Sequence, residues 1–250
     1  MRIELEKDLK NSVGDYFHTG VNAALSLFPF GGTISEFFNI LFTPPLEKRR
    51  DAWLLKLYDA ISQIQAQIDS FSIEELSKND QFISIMMQSA QLVLKNHQAE
   101  KLDALRNAVL NTALDINFDE TEQFIFLNMI DNLSVWHLKI LYYFKDPTQW
   151  FIENKMTRPN LSNCSPRVGL TAAYQELIGK AEFINMVIRD LYNDGLFSDN
   201  NINSMSSHGI FDSRVTAFAN KFLSYISTPS QLQSDKCNIE DVFIIALAQQ

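Results

Sequence analysis

The residues able to do chemistry are few and scattered. The four histidines, His18, His97, His137 and His208, form neither HxxxH nor HExxH. A zinc site requires three or four converging N, S or O ligands, and no local spacing here supplies even two. Cys164 with His137 is the one nucleophile–base pair that the inventory offers. A nucleophilic cysteine needs a nearby base and an electropositive setting. Around Asn163-Cys164-Ser165-Pro166 only Arg167 provides charge of that sign. Cys237, in Ser-Asp-Lys-Cys-Asn, reads as an exposed tail residue. Gly31-Gly32-Thr33 precedes a helical pattern, where free backbone N–H groups attract anions. The stretch lacks GxxxxGK[ST] and GxGxxG, so it reads as a tight turn between helices. The carboxylate pairs Glu74/Glu75 and Glu120/Glu122 fall in first helical turns, where they complement the helix dipole. The expectation is a chain with no catalytic residue, no metal site and no cofactor.

The elements that would have to position any site are helical. Only eight glycines and seven prolines punctuate 250 residues, which favours long uninterrupted elements. Residues 5–28 carry Leu5, Leu9, Val13, Phe17, Val21, Ala24 and Phe28 on one helical face. Pro29-Phe30-Gly31-Gly32 breaks this helix, and Thr33 caps a short one with Ile34, Phe37, Phe38, Leu41 and Phe42. The 21–42 hairpin holds five phenylalanines and a single charge, Glu36. It is too broken to span a bilayer as one helix, which needs about 20 continuous apolar residues.

From Pro45 to about Asp69 the stripe Leu46, Trp53, Leu57, Ile61, Ile64 and Ile68 predicts a long helix. Ser72 and Glu75 form a capping-box pattern ahead of Phe82, Ile85, Met86, Ser89, Leu92 and Val93. Another helix follows His97, through Leu102, Leu105, Val109, Ala113 and Ile116. Residues 1–118 therefore read as a bundle of five or six helices. Asp119 with Glu122 caps a helix through Leu133, and Ser134 caps Val135–Phe144. The Pro- and Asn-rich stretch 155–169 reads as a loop. The fold class expected is mostly all-α, with strand confined to one small β-hairpin between about 195 and 214.

That hairpin follows the most informative segment, Glu182-Phe-Ile-Asn-Met-Val-Ile-Arg-Asp-Leu-Tyr-Asn-Asp-Gly-Leu-Phe197. An amphipathic helix ends at Asp194-Gly195, glycine being the preferred residue past a helix end. A polar stretch, Ser198–His208, leads to Gly209-Ile210-Phe211 and a last helix from Val215 to Ile226. Asp190-Leu191, Gly195-Leu196-Phe197, Val215-Thr216 and Phe222-Leu223 give residues 119–228 a pattern that resembles the winged helix. It is also similar to the C-terminal modules of bacterial proteins with helical N-terminal halves. The resemblance implies that Leu138–Phe144 is a first helix, that 182–194 is the third, and that a wing follows. Within the third helix Phe183, Val187, Leu191 and Leu196 are expected to point inward, and Arg189 and Asn193 outward.

Charge narrows the function classes. The net charge is −9, and binding to a phosphate backbone requires Lys and Arg to neutralise it. The one compact basic patch is Lys48-Arg49-Arg50, flanked by Glu47 and Asp51. From residue 119 onward ten basic residues face fifteen acidic ones, a net of −5. The third helix offers Arg189 beside Glu182, Asp190 and Asp194, a poor phosphate-holding surface. Two cysteines without CxxC and the charge-alternating start MRIELEKDLK lead us to expect a cytoplasmic, reduced protein.

A polar linker precedes the apolar run Ile239–Ala248, which must dock on something. The leading expectation is a non-catalytic interaction or regulatory protein with a protein partner or self-association, one component of a bacterial multi-protein system. Candidate interaction residues are Phe37, Phe38, Arg189, Asn193, Phe243 and Ile244. The alternatives are a membrane-active effector using the 21–42 hairpin and a winged-helix DNA-binding regulator.

Overall fold

Apolar spacing of three and four residues sets the pattern of the fold. A computed structural model describes residues 48–114, 118–160, 164–203 and 209–232. The apolar hairpin 21–42 with Phe37 and Phe38, and the C-terminal run with Phe243 and Ile244, lie outside the described residues. Among the described residues the protein is all-α, with ten α-helices.

Helix α1, Lys48–Gln67, buries Trp53, Leu54, Leu57, Ala60, Ile61 and Ile64. The Trp53 indole N–H donates to the Leu102 carbonyl at 2.8 Å. Ser72 does cap a helix, its Oγ accepting from Glu75 N–H, but this helix, α2, is only Ile73–Leu76. The continuous helix expected from Ser72 through Val93 is therefore two. Asn79 starts a second N-cap, accepting from Phe82 N–H, and α3 runs Asp80–Lys95. An Asn side chain that satisfies a free N–H makes a new helix start there more favourable than continuation.

Helix α4, Ala99–Ala113, is the centre of the bundle, with ten of its fifteen residues buried. Packed around it are α1, α3, α5 (Glu120–Asn132) and α10 (Ala217–Ile226). Two buried asparagines of α4 tie it to α10. Asn107 Nδ2 donates to Ile226 O at 2.9 Å, and Asn111 Nδ2 donates to the carbonyls of Tyr225 (2.7 Å) and Ser227 (2.9 Å). The last carbonyls of a helix lack internal partners, so α4 supplies the C-terminal cap of α10 from far away in the sequence. One apolar core runs from Trp53 to Ile226 and continues across residue 118.

Asp119 caps α5 by accepting from the N–H groups of Thr121 and Glu122. Ser134 caps α6, Val135–Lys145. Asp146-Pro147 then starts α7, Pro147–Glu153, which sequence periodicity did not reveal. A second Pro start, Ser165-Pro166, opens α8, Pro166–Ala173. The loop expected over 155–169 therefore gives way to helix in its last four residues, proline at N1 being pre-organised for a helix start.

Helix α8 passes close to α6. An added Cβ on Gly169 would lie 2.8 Å from the Tyr143 hydroxyl oxygen and 3.3 Å from Phe211 Cε1. That hydroxyl is buried without a hydrogen-bond partner among the described residues, and burial pushes its pKa up, so it stays protonated. Gly169→Ala is expected to cost about 1–3 kcal/mol by overpacking. Tyr143→Phe is expected to be neutral or stabilising, because it removes an unsatisfied polar group. Combining the two should recover part of the Gly169→Ala loss, measurable as a coupling energy in urea unfolding.

Helix α9, Ala181–Asn193, ends as its sequence suggested. Gly195 takes φ +72°, Leu196 N–H donates to Leu191 O at 2.8 Å and Gly195 N–H to Tyr192 O at 3.0 Å. This pair of bonds satisfies the last carbonyls of the helix. Beyond it, Phe197 and Val215 form an isolated antiparallel bridge. Ser198 N–H donates to Arg214 O and Thr216 N–H to Leu196 O. Among the described residues this bridge is all the β-structure at the place of the expected hairpin. Residues 204–208 lie outside them.

Candidate functional site

Two features stand out on α9, one on each side of the helix. Its inner face buries Ile184, Val187, Ile188 and Leu191, and Leu196 follows them into the core. Phe183 is half-buried, edge-on to Trp136 at 6.5 Å. The outer face carries Glu182, Asn185, Met186, Arg189, Tyr192 and Asn193, all of them exposed. Met186 is 39% and Tyr192 44% exposed, and Ile178, just before the helix, is 66% exposed. Three of the eight large apolar side chains exposed among the described residues thus fall between 178 and 192. The segment after the bridge reaches back to this face, Asn203 Nδ2 donating to Asn185 Oδ1 at 2.9 Å. Arg189 and Asn193 therefore stand together, framed by apolar groups.

The second feature is a polar joint at the other edge of α9. Ser134 N–H donates to His137 Nδ1 at 3.2 Å, and the Ser134 hydroxyl lies 2.7 Å from the same nitrogen. His137 N–H in turn donates to Ser134 Oγ. This is a capping box with histidine in place of the usual Glu or Gln. Because a backbone N–H donates to Nδ1, Nδ1 is an acceptor and Nε2 carries the proton. Nε2 faces Asp190 Oδ2 at 3.5 Å. Both ring nitrogens are thus committed, and neither is left to serve Cys164 as a base. The Ser–His–Asp order has the look of a catalytic relay, but every contact in it is explained by structure. The serine starts α6, and the histidine links α6 to α9.

From α4, Lys101 acts on the His137 ring. Lys101, buried, donates to Asp131 O at 2.8 Å and to Asn96 Oδ1 at 3.2 Å. Desolvation pushes its pKa down and the Asp131 charge partly offsets this. Lys139 and Glu100, both buried, approach to 4.0 Å, with the Lys139 ammonium 5.2 Å from the Trp136 ring centre. Arg49, from the expected basic patch, donates to the Leu94 and Asn96 carbonyls at the end of α3. Arg50 is buried. Two of the three basic residues there thus serve the bundle's interior and helix ends.

Burial pushes the His137 pKa below the ordinary histidine value, with Asp190 and Asp194 pulling the other way and Lys101 reinforcing the fall. A depressed histidine means that the unfolded chain binds more protons in acid. The stability contribution is therefore complete above the ordinary value of about 6.5 and lost progressively as pH falls below it. Unfolding measured in urea from pH 7.5 to 5 should show this decline. His137→Gln, which keeps an acceptor for the capping box, should flatten it.

Among the described residues no group of three or more His, Cys, Asp or Glu is placed to hold a metal ion, and no helix is long and apolar enough to cross a membrane. Sequence reading found the outward setting of Arg189 and Asn193 from helical periodicity. It missed the His137–Asp190 contact, which joins positions on two different helices and leaves no local signal. Compared with family models, curated proteins and solved structures, the chain matches none.

Proposed function

We propose that the protein is a non-catalytic interaction or regulatory protein of the cytoplasm, one component of a bacterial multi-protein system. Residues 119–228 act in this reading as a winged-helix-like module whose helix α9 docks a partner protein. The observation that carries the proposal is the makeup of the outer face of α9. Met, Tyr and Arg are the residue types enriched where proteins meet, and Met186, Arg189 and Tyr192 lie on one exposed helical face with Ile178 at its start. Exposed apolar surface rimmed by polar groups is the usual mark of a protein contact.

The charge pattern favours the same reading over nucleic acid. The face holds one arginine beside Glu182, and Asp190 and Asp194 border it. Phosphate binding gains its affinity from several Lys and Arg contacts. Such a surface suits a partner that brings apolar and basic groups of its own.

The test compares wild type with a Met186→Glu/Tyr192→Glu double variant, both purified from native cells. A protein should co-elute in fixed ratio with the wild type and be lost from the variant, while the melting temperature stays the same. Retention of that protein by the variant would refute the assignment. So would Arg189-dependent binding of duplex DNA much tighter than the roughly 10⁻⁴–10⁻⁶ M of sequence-independent contacts at physiological salt.

A further inference from the structure

We propose that His137 is a proton-sensing joint through which acidification resets the docking helix α9. The inference rests on the reading of α9 as the docking element and adds a means of regulating it. His137 is the side chain that holds the start of α6 with one ring nitrogen and α9 with the other. Its two contacts respond to a proton in opposite senses. In the neutral ring Nδ1 accepts from the Ser134 backbone N–H and stands at hydrogen-bond distance from the Ser134 hydroxyl. A proton placed on Nδ1 removes that lone pair, so the Ser134 N–H loses its acceptor, and the hydroxyl must turn to accept instead. At the same time the ring becomes a cation facing Asp190, whose contact at 3.5 Å is loose in the neutral state. The cap of α6 therefore weakens as the tie to α9 tightens.

The groups facing the ring are few. Lys101 on α4 opposes the proton, and Asp190 and Asp194 on α9 favour it. The Lys101 ammonium is itself drawn to the end of α5 by the Asp131 carbonyl. Asp190 is directly next to Arg189 in the chain and its side chain is 41% exposed, so it has room to move toward the ring. Histidine is the side chain whose ordinary pKa lies where small changes in surroundings alter its charge between pH 5 and 8. A link made only of Ser134, His137 and Asp190 converts that change into a shift of the helix carrying Met186, Arg189 and Tyr192.

The experiment is an NMR titration of the full chain from pH 7.5 to 5, following the imidazole of His137 and the backbone amides of Ser134 and residues 186–193. The Ser134 and α9 amides should move with the midpoint of His137, and in His137→Gln these movements should vanish. Asp190→Asn keeps the histidine and serves if His137→Gln does not fold. It should shift the His137 midpoint further down and remove the response of α9. An α9 that stays still through the His137 midpoint, that moves unchanged in His137→Gln, or a midpoint indifferent to Asp190→Asn, would overturn the proposal. No partner is needed, so a titrating α9 in a protein that captures no partner would sink the docking reading while leaving the joint intact.

Discussion

Phe126→Ala is expected to destabilise the protein by about 3–5 kcal/mol, the usual range for a buried phenylalanine cut to alanine. Phe126 is fully buried on α5 and sits at the centre of an aromatic group. Its ring centre lies 5.3 Å from Phe218, 5.5 Å from Phe222 and 5.4 Å from Tyr225, all on α10, and 6.1 Å from Phe118. Removing it opens a void between α5 and α10 where no small shift of one helix can restore contact with all four rings. The buried hydroxyl of Tyr225, 3.0 Å from Thr112 Oγ1, resists such a shift because the bond would be lost with it. Phe126→Leu, which refills part of the space, should cost distinctly less. Urea unfolding checks both. Phe126→Ala together with Phe222→Ala should cost less than the sum of the two, since the second deletion enlarges a void already made.

Leu191→Ala should cost about 2–5 kcal/mol. Leu191 is fully buried, and its backbone carbonyl receives both Leu196 N–H at 2.8 Å and Phe197 N–H at 3.2 Å. The side chain thus packs where the helix ends, the chain turns at Gly195 and the bridge to Val215 begins. Truncation leaves the hydrogen bonds in place but hollows the space beneath them. Loosening should therefore spread to the 196–216 region, seen as faster amide exchange at Phe197, Ser198 and Thr216. Arg189→Ala, two residues away on the outer face, should change stability by no more than about 0.5 kcal/mol. A reversal of those two results would show that α9 had been assigned the wrong face.

Much of this architecture was legible because it rests on local rules. Asp119 and Ser134 read as N-caps since their side chains reach N–H groups two or three residues on, and Gly195 read as a helix end because a positive φ favours glycine. The inner face of α9 followed from spacing alone. Where reading fell short, the deciding contact was distant or the element was short. The second start at Asn79 falls in Ser77-Lys78-Asn79-Asp80-Gln81, a short polar break between Leu76 and Phe82 that the single capping signal at Ser72 overshadowed. Helix α7 is too short for periodicity to register. Asn107 and Asn111 carry no local sequence signal of their role, because the carbonyls they cap at the end of α10 lie far away in the chain. Lys48-Arg49-Arg50 looks like a surface patch, yet Arg50 is buried and Arg49 binds carbonyls of α3. The His137–Asp190 link has no sequence signature at all, because only the packing of α6 on α9 brings the two together.

That the outer face of α9 meets a partner protein is tested most directly by site-specific photo-cross-linking in native cells. A photoreactive amino acid replaces Arg189 in one version of the full chain and exposed Lys56, on α1, in another. Position 189 should yield one discrete protein adduct that position 56 does not, and the adduct should disappear with Met186→Glu/Tyr192→Glu. Adducts with nucleic acid or lipid at position 189, or the same adducts from both positions, would contradict a protein-docking α9.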